Sequence, residues 1–350
     1  MRKCRKCGAP AVIYMRQHRL ALCKEHFLEW FVEQTARTIK RYRMFTPKDR
    51  VLVAVSGGKD SLTLWDVLWR LGYQADGLYI GLGIDGGIQY SDQSRALSEQ
   101  FAQERGLRLL VVDIPETYGV SIPELARRSR RGKGKPCAVC GLVKRHEMNR
   151  IAHDLGYNVL ATGHNLDDEA AVLFGNVLQW QMGYLVRQGP VLPEAPGLAR
   201  KVKPLVRFYE RETAAYALLR GIPYIYDECP YAEGATSMVH KELLNRLEEE
   251  RPGAKLQFYV NFLKAKEEGW FRQPEPPALH RCEVCGQPTT APGLCAFCRT
   301  LRRAGIDPAQ VYVTLPKPEA TEPAASVADR AEGAAASSTP VQLAEEDTEP

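Results

Sequence analysis

The sequence predicts an α/β fold, a doubly wound parallel sheet carrying small zinc-binding modules at both ends. Three observations carry that prediction. Apolar runs without polar alternation recur at 51–55, 76–82, 108–114 and 158–162, which is how strands buried on both faces read. Segments of helical period near 61–71, 91–105 and 141–155 separate them, and strand alternating with helix implies parallel strands joined by crossovers. Finally, cysteines and a histidine stand in close pairs at both ends of the chain, with metal-ligand spacing.

Taken in order, residues 1–26 form the first module, with Cys4-x-x-Cys7 and Cys23-x-x-His26 offering four ligands for one tetrahedral zinc. His18, between the pairs, reads as a surface residue. Residues 27–50 are a linker whose apolar positions (Phe27, Leu28, Phe31, Val32, Thr35, Ile39, Tyr42) have helical spacing over 27–45. A basic, glycine-containing stretch at 127–136 reads as a flexible loop suited to phosphates, or simply as a surface loop. Residues 183–203, rich in glycine and proline, read as a long connection before a helix near 208–220. Helical stretches over 241–249 and 256–266 belong to a second linker, 241–275. A second zinc module, 276–304, follows, with Cys282-x-x-Cys285 and Cys295-x-x-Cys298. Both ligand sets are closed, so they suit scaffolds or RNA-docking modules better than reaction centres.

Between the first strand and the first helix of the core lies Ser56-Gly57-Gly58-Lys59-Asp60-Ser61. Free amides at a helix N-terminus and the positive end of the helix dipole favour an anion, and glycines let the backbone approach it. The spacing matches neither a Walker loop nor a dinucleotide fingerprint. It resembles the PP-loop, whose enzymes cleave ATP to AMP and pyrophosphate. An ordinary glycine turn with a helix cap is the plain alternative. In an open α/β sheet, ligands sit outside the carboxyl ends of strands at a switch point, where this segment would fall.

Beyond the terminal sets, Cys137, Cys140 and Cys229 remain. Three thiols cannot close a tetrahedral site. They suit a four-iron, four-sulfur cluster with one iron lacking a protein ligand. Alternatively, Cys140 or Cys229 is a nucleophile that carries persulfide, or the thiols are small buried hydrophobes.

Composition bounds the rest. No apolar run is long enough to span a bilayer and Met1-Arg2-Lys3-Cys4 is no signal sequence, so a cytoplasmic protein without membrane association is expected. The net charge is +5, but residues 316–350 hold two basic and eight acidic residues, leaving +11 on residues 1–315. Such an excess attracts polyanions, although it is often only a solvated surface. The tail, 316–350, is rich in Ala, Pro, Ser, Thr and Glu and is expected to be disordered.

Together, Ser56 to Ser61, Pro136-Cys137-Ala138-Val139-Cys140-Gly141 and Thr162-Gly163-His164-Asn165-Leu166-Asp167-Asp168-Glu169 resemble the tRNA 2-thiouridine synthetases. The zinc module at each end is similar to the uridine-thiolating group rather than to zinc-free cytidine-thiolating relatives. The resemblance covers residues 1 to about 300. It implies an adenine nucleotide alpha hydrolase-like domain over residues 51–240, in which ATP adenylates the C2 oxygen of a uridine and sulfur displaces AMP.

On this resemblance Ser56, Gly57, Gly58, Lys59, Asp60 and Ser61 hold the phosphates, with Asp60 near magnesium, and Ala54, Ile80 and Gly163 line the adenosine site. Cys137, Cys140 and Cys229 match the ligands of a 4Fe-4S cluster. Lys144, one helical turn beyond Cys140, would counter developing charge, unless it is a surface charge beside Arg145. Asp168 would act as a base or hold magnesium, unless it only caps a helix. His164 would take part in the site or only orient its loop.

The resemblance further implies tRNA as substrate, uridine or ribothymidine 54 of the T-loop as target, a ubiquitin-like thiocarboxylated sulfur-carrier protein as donor, and a homodimer. Few asparagines beside many arginines and prolines point to a thermophile. Thiolation of wobble uridine 34 is the runner-up, and a lysidine synthetase-like ligase without iron or an RNA-binding scaffold that has kept the ATP fold are the competing classes.

Overall fold

The computed structural model describes residues 2–232, 236–271, 278–314 and 319–321. In chain order its strands are β1 (Ile13–Met15), β2 (Leu20–Leu22), β3 (Val51–Val55), β4 (Ala75–Gly81), β5 (Leu109–Asp113), β6 (Val159–Thr162), β7 (Val191–Leu192), β8 (Arg200–Val202), β9 (His280–Arg281), β10 (Pro288–Thr289) and β11 (Glu319–Thr321). Its helices are α1 (Lys24–Arg41), α2 (Lys59–Arg70), α3 (Tyr90–Arg105), α4 (Ile114–Tyr118), α5 (Ile122–Ser129), α6 (Pro136–Asp154), α7 (Leu166–Leu178), α8 (Met182–Leu185), α9 (Glu210–Arg220), α10 (Thr236–Glu250), α11 (Ala254–Glu267), α12 (Ala296–Arg303) and α13 (Pro308–Thr314).

Seven strands form the main sheet in the order β11-β5-β4-β3-β6-β8-β7. The five from β5 to β8 are parallel, and β11 and β7 close the two edges antiparallel. The expected doubly wound sheet is therefore present. Its strands are apolar throughout because both faces are covered. Val51, Val53 and Val55 point into a cluster with Phe31 of α1, Trp65 of α2, Phe101 of α3 and Tyr216 of α9. Leu52 points the other way, with Leu78, Ile80, Leu110 and Leu160, into a cluster built with α4, α5, α6 and α12. Phe31 stacks on Phe208 at 3.9 Å between ring centroids and tilts against Tyr216 at 4.5 Å, contacts worth roughly 0.5–1.5 kcal/mol each beyond the area they bury.

The cysteine modules sit on opposite faces of this sheet. Cys4 and Cys23 join the first cluster beside Met15, Leu22 and Phe27, whereas Cys282, Cys295 and Cys298 join the second beside Phe297. The first helix starts at Lys24, inside the first module, so module and linker share one helix.

Three sequence readings need correction. The connection over 183–203 contains β7 and β8, and β8 is a full parallel member of the sheet, pairing Arg200 with Val159 and Val202 with Ala161. Arg-Lys-Val has no apolar run to announce it. It is a strand because the outer edge of β6 carries backbone groups that a neighbouring strand must satisfy. The basic stretch over 127–136 is not one flexible loop. Ser121 caps α5 and Pro123 lies in its first turn, Arg127 and Arg128 in its last turn pair with Glu124, and a short 3-10 turn at Arg131–Gly134 leads into α6 at Pro136. Within the acidic tail, Glu319–Thr321 pairs with β5, an open edge that accepts it; the rest of the disorder reading, beyond residue 321, lies outside the described residues. Among the described residues, no helix is long and apolar enough to cross a membrane.

Candidate active site

The strand order reverses between β3 and β6, and their carboxyl ends open a crevice there. Ser56 to Ser61 turn from β3 into α2 at that point. The Ser56 amide donates to Ser61 Oγ at 3.1 Å and Ser61 Oγ donates to the Gly58 carbonyl at 3.1 Å, so the loop is tied over the first turn of α2. Gly57 has φ +72°, and a Cβ there would stand 2.5 Å from the Ser94 carbonyl oxygen. From the other side Gly163 presses on the same turn, where a Cβ would stand 2.8 Å from the Asp60 carbonyl carbon and the Ser61 nitrogen.

The resulting cleft, about 310 Å³, is lined by Ala54, Ser56, Asp60, Ser61, Ile80, Gly163 and Asp168 and also by Lys144. Of the nine residues expected to contact nucleotide besides Asp168, six line this cleft, while Gly57, Gly58 and Lys59 are not among its lining residues. Tyr90 and Met148, which sequence reading did not single out, line it as well.

Charges converge beside the loop. Lys59 Nζ lies 3.0 Å from Asp60 and 2.8 Å from Glu210. Lys241 Nζ lies 3.2 Å from the other oxygen of Glu210 and 2.6 Å from Asp168. Burial works against each ammonium, but the facing carboxylates outweigh it and raise both lysines above the ordinary range. Burial raises the Asp60 pKa, and the nearby Asp168 charge adds to this against Lys59 and the Thr213 hydroxyl, which donates to Asp60.

Asp168 also closes a capping box with Asn165 at the start of α7, so it is both a helix cap and a wall of the cleft. Asp167 points elsewhere, to Lys255 at 2.5 Å and the Glu210 amide at 2.9 Å. The His164 ring faces the cleft and hydrogen-bonds Thr162 Oγ1 at 2.8 Å; desolvation by the surrounding protein lowers its pKa from the ordinary imidazole value. Glu210 and Lys241 went unnoticed in the sequence, where each is one charge among several on an amphipathic helix.

Cys137 and Cys140 occupy the first turns of α6, and Cys229 comes from the loop after α9. Cys137 is exposed and the other two half-buried. Burial raises the Cys140 thiol, the Lys144 ammonium in hydrogen-bond reach pulls it down, and the charges of Cys229 and Cys137 push it up, so all four groups share one neighbourhood. The three sulfurs do not lie within 4.8 Å of one another, as ligands of a single ion would. A multi-iron cluster is wider than one ion, and its ligands stand correspondingly further apart.

Each terminal set does converge. Cys4, Cys7, Cys23 and His26 bring their ligand atoms within 4.8 Å of one another, and so do Cys282, Cys285, Cys295 and Cys298. Cys7 and Cys23 sulfurs are 3.8 Å apart, and Cys285 and Cys295 sulfurs 3.7 Å. Tetrahedral coordination with metal–sulfur bonds of about 2.3 Å requires about 3.8 Å. Exposed His18 stays outside the first set, against the edge of Trp30.

Residues 3–28 match the family described as 2-thiouridine synthetase TtuA, N-terminal LIM domain, and residues 28–234 match the PP-loop domain. The chain is 57% identical over 296 residues to the tRNA-5-methyluridine(54) 2-sulfurtransferase of Thermus thermophilus, covering 85% of this chain and 90% of that one. It is 45% identical over 299 residues to the Thermotoga maritima enzyme of the same name, covering 85% and 95%. Among solved structures, U34-tRNA thiolase NcsA from Methanococcus maripaludis, described with its [4Fe-4S] cluster, shares the fold with a TM-score of 0.71 at 24% identity, covering 86% of this chain and 96% of that chain. With a PP-loop domain over more than half its length and such identity to named sulfurtransferases, the chain belongs to the tRNA 2-sulfurtransferase family of PP-loop enzymes.

Proposed function

We propose that this enzyme thiolates uridine or ribothymidine 54 in the T-loop of tRNA at the expense of ATP. Its relatives at 57% and 45% identity are named for position 54, which favours the T-loop over wobble uridine 34. The observation that carries the reading is the cleft, which runs without a break from the phosphate loop to Lys144, beside Cys140.

In this reading the uridine C2 oxygen attacks the α-phosphorus of ATP and pyrophosphate leaves; sulfide then attacks C2 and AMP departs with the oxygen. Ser56, Gly57, Gly58, Lys59, Asp60 and Ser61 hold the polyphosphate at the α2 N-terminus, and Ala54, Ile80 and Gly163 hold the adenosine. Asp60 and Asp168 face the cleft from two helix N-termini and hold magnesium, or Asp168 takes the proton. Lys144 neutralises charge that develops at C2. Cys137, Cys140 and Cys229 suit a 4Fe-4S cluster, which would supply an open iron site for sulfide. The two terminal sets hold one zinc each and anchor opposite faces of the sheet. A ubiquitin-like protein ending in a thiocarboxylate supplies sulfur, the enzyme acts as a homodimer, and it works in the cytoplasm.

The test is anaerobic incubation of iron-reconstituted protein with ATP, magnesium, sulfide and unmodified tRNA, followed by mass spectrometry of nucleosides and fragments. A 2-thio nucleoside mapped to the T-loop is expected. A thio product at position 34 would move the target to the wobble base. AMP formation without any thio product would overturn the reading in favour of an amide-forming ligase.

A further inference from the structure

Glu210 is the centre of an ion network at the end of the phosphate loop. Two ammonium groups, Lys59 from α2 and Lys241 from α10, stand on the two oxygens of a single carboxylate, at 2.8 Å and 3.2 Å. The N-termini of three helices meet at this point: Asp60 is the second residue of α2, Asp168 the third of α7 and Glu210 the first of α9. Aligned peptide dipoles and two cations favour negative charge there, and side-chain carboxylates supply it. None of the groups is sealed off. Side-chain exposures are 23% for Lys59, 37% for Glu210, 20% for Lys241 and 27% for Asp168, so a ligand reaches them without unfolding anything.

We propose that Lys241 is a second pyrophosphate-binding cation, supplied by α10, and that Glu210 stands in for the phosphate between Lys59 and Lys241 when the site is empty. The inference rests on the proposed use of ATP and extends it to residues outside the Ser56–Ser61 loop. Charge defines the ligand further. Lys59 and Lys241 against Asp60, Asp168 and Glu210 sum to −1. Free pyrophosphate is repelled by that balance, whereas one divalent cation turns it to +1, so the site takes the magnesium complex. When the complex arrives, its oxygens replace those of Glu210 on the two lysines. Lys241 then leaves Asp168, whose carboxylate becomes available at the moment the nucleotide is bound.

Calorimetry on the full chain, titrating magnesium pyrophosphate and, separately, AMP, tests this without turnover. Lys241→Met is expected to weaken magnesium pyrophosphate by about tenfold or more, the loss of one charge-assisted contact, while AMP binding stays at the wild-type value. Lys241→Arg should retain most of the affinity. Glu210→Gln is expected to tighten magnesium pyrophosphate, because the competing carboxylate is gone; weaker binding would overturn the stand-in role. Equal losses for pyrophosphate and AMP in Lys241→Met would mean a structural effect and would refute the assignment, as would no loss for either. If the wild-type protein binds neither ligand, the nucleotide reading itself fails, and the inference with it.

Discussion

Replacing Gly163 by alanine isolates the contact that shapes the nucleotide end of the cleft. A Cβ at this position would stand 2.8 Å from the Asp60 carbonyl carbon, 2.8 Å from the Ser61 nitrogen and 2.9 Å from the Asp60 oxygen. Carbon contacts are comfortable at about 3.5 Å, so the β6–α7 turn must retreat by about 0.7 Å. All three atoms are backbone in the first turn of α2, where the Leu62 amide is already bonded to the Gly58 carbonyl at 3.2 Å, and they cannot rotate aside. Gly163 has no positive φ, so the effect is steric and not a backbone penalty.

Overpacking of this kind costs about 1–3 kcal/mol. If it falls on the ATP-bound geometry, affinity drops by about 5- to 150-fold. Retreat of the turn also pulls Asn165 from Asp60, now 3.3 Å apart. The assay is KM for ATP in AMP formation alongside a thermal melt, with Gly183→Ala as control, since nothing lies within 4 Å of a Cβ there. A folded Gly163→Ala protein with wild-type KM would refute the reasoning.

Alanine at Cys137, Cys140 and Cys229 together is expected to abolish bound iron and thiolation while metal analysis still finds the zinc of both terminal sets; retained thiolation would sink the cluster assignment. Glu212 is fully buried, and burial lifts its carboxyl to about 7 against the Tyr209 amide, Arg211 and Gln17. Its folded pKa exceeds the ordinary 4.5, so the stability it contributes is complete below 4.5 and lost as pH rises through 7. Melts between pH 4.5 and 8 should show that slope, and Glu212→Gln should flatten it. Removing residues 322–350 should leave melting and activity unchanged, whereas removing everything from 316 strips β11 from β5 and should lower the melting temperature; identical melts would contradict the pairing.

What the sequence determined by itself is local. Val51 to Val55 are apolar at every position, which only a strand covered on both faces requires, and the glycines and hydroxyls after them declare a loop entering a helix. Cysteine pairs announce metal sets because both thiols of a pair must reach one ion. Helix α5 was also written in Ser121, Pro123 and Glu124, but the arginines after them hid it.

Tertiary structure alone decided the rest. Arg200-Lys201-Val202 is a strand because β6 has an edge to fill, not because of its own residues. Lys59, Asp168, Glu210 and Lys241 meet in one network whose paired members lie 31 to 151 positions apart in the chain. Gly163 matters because another helix's backbone is 2.8 Å from where its side chain would be. Periodicity and capping act over a few residues and are legible in them, whereas partners in an ion network or a steric contact are selected by how elements pack, which no local pattern encodes.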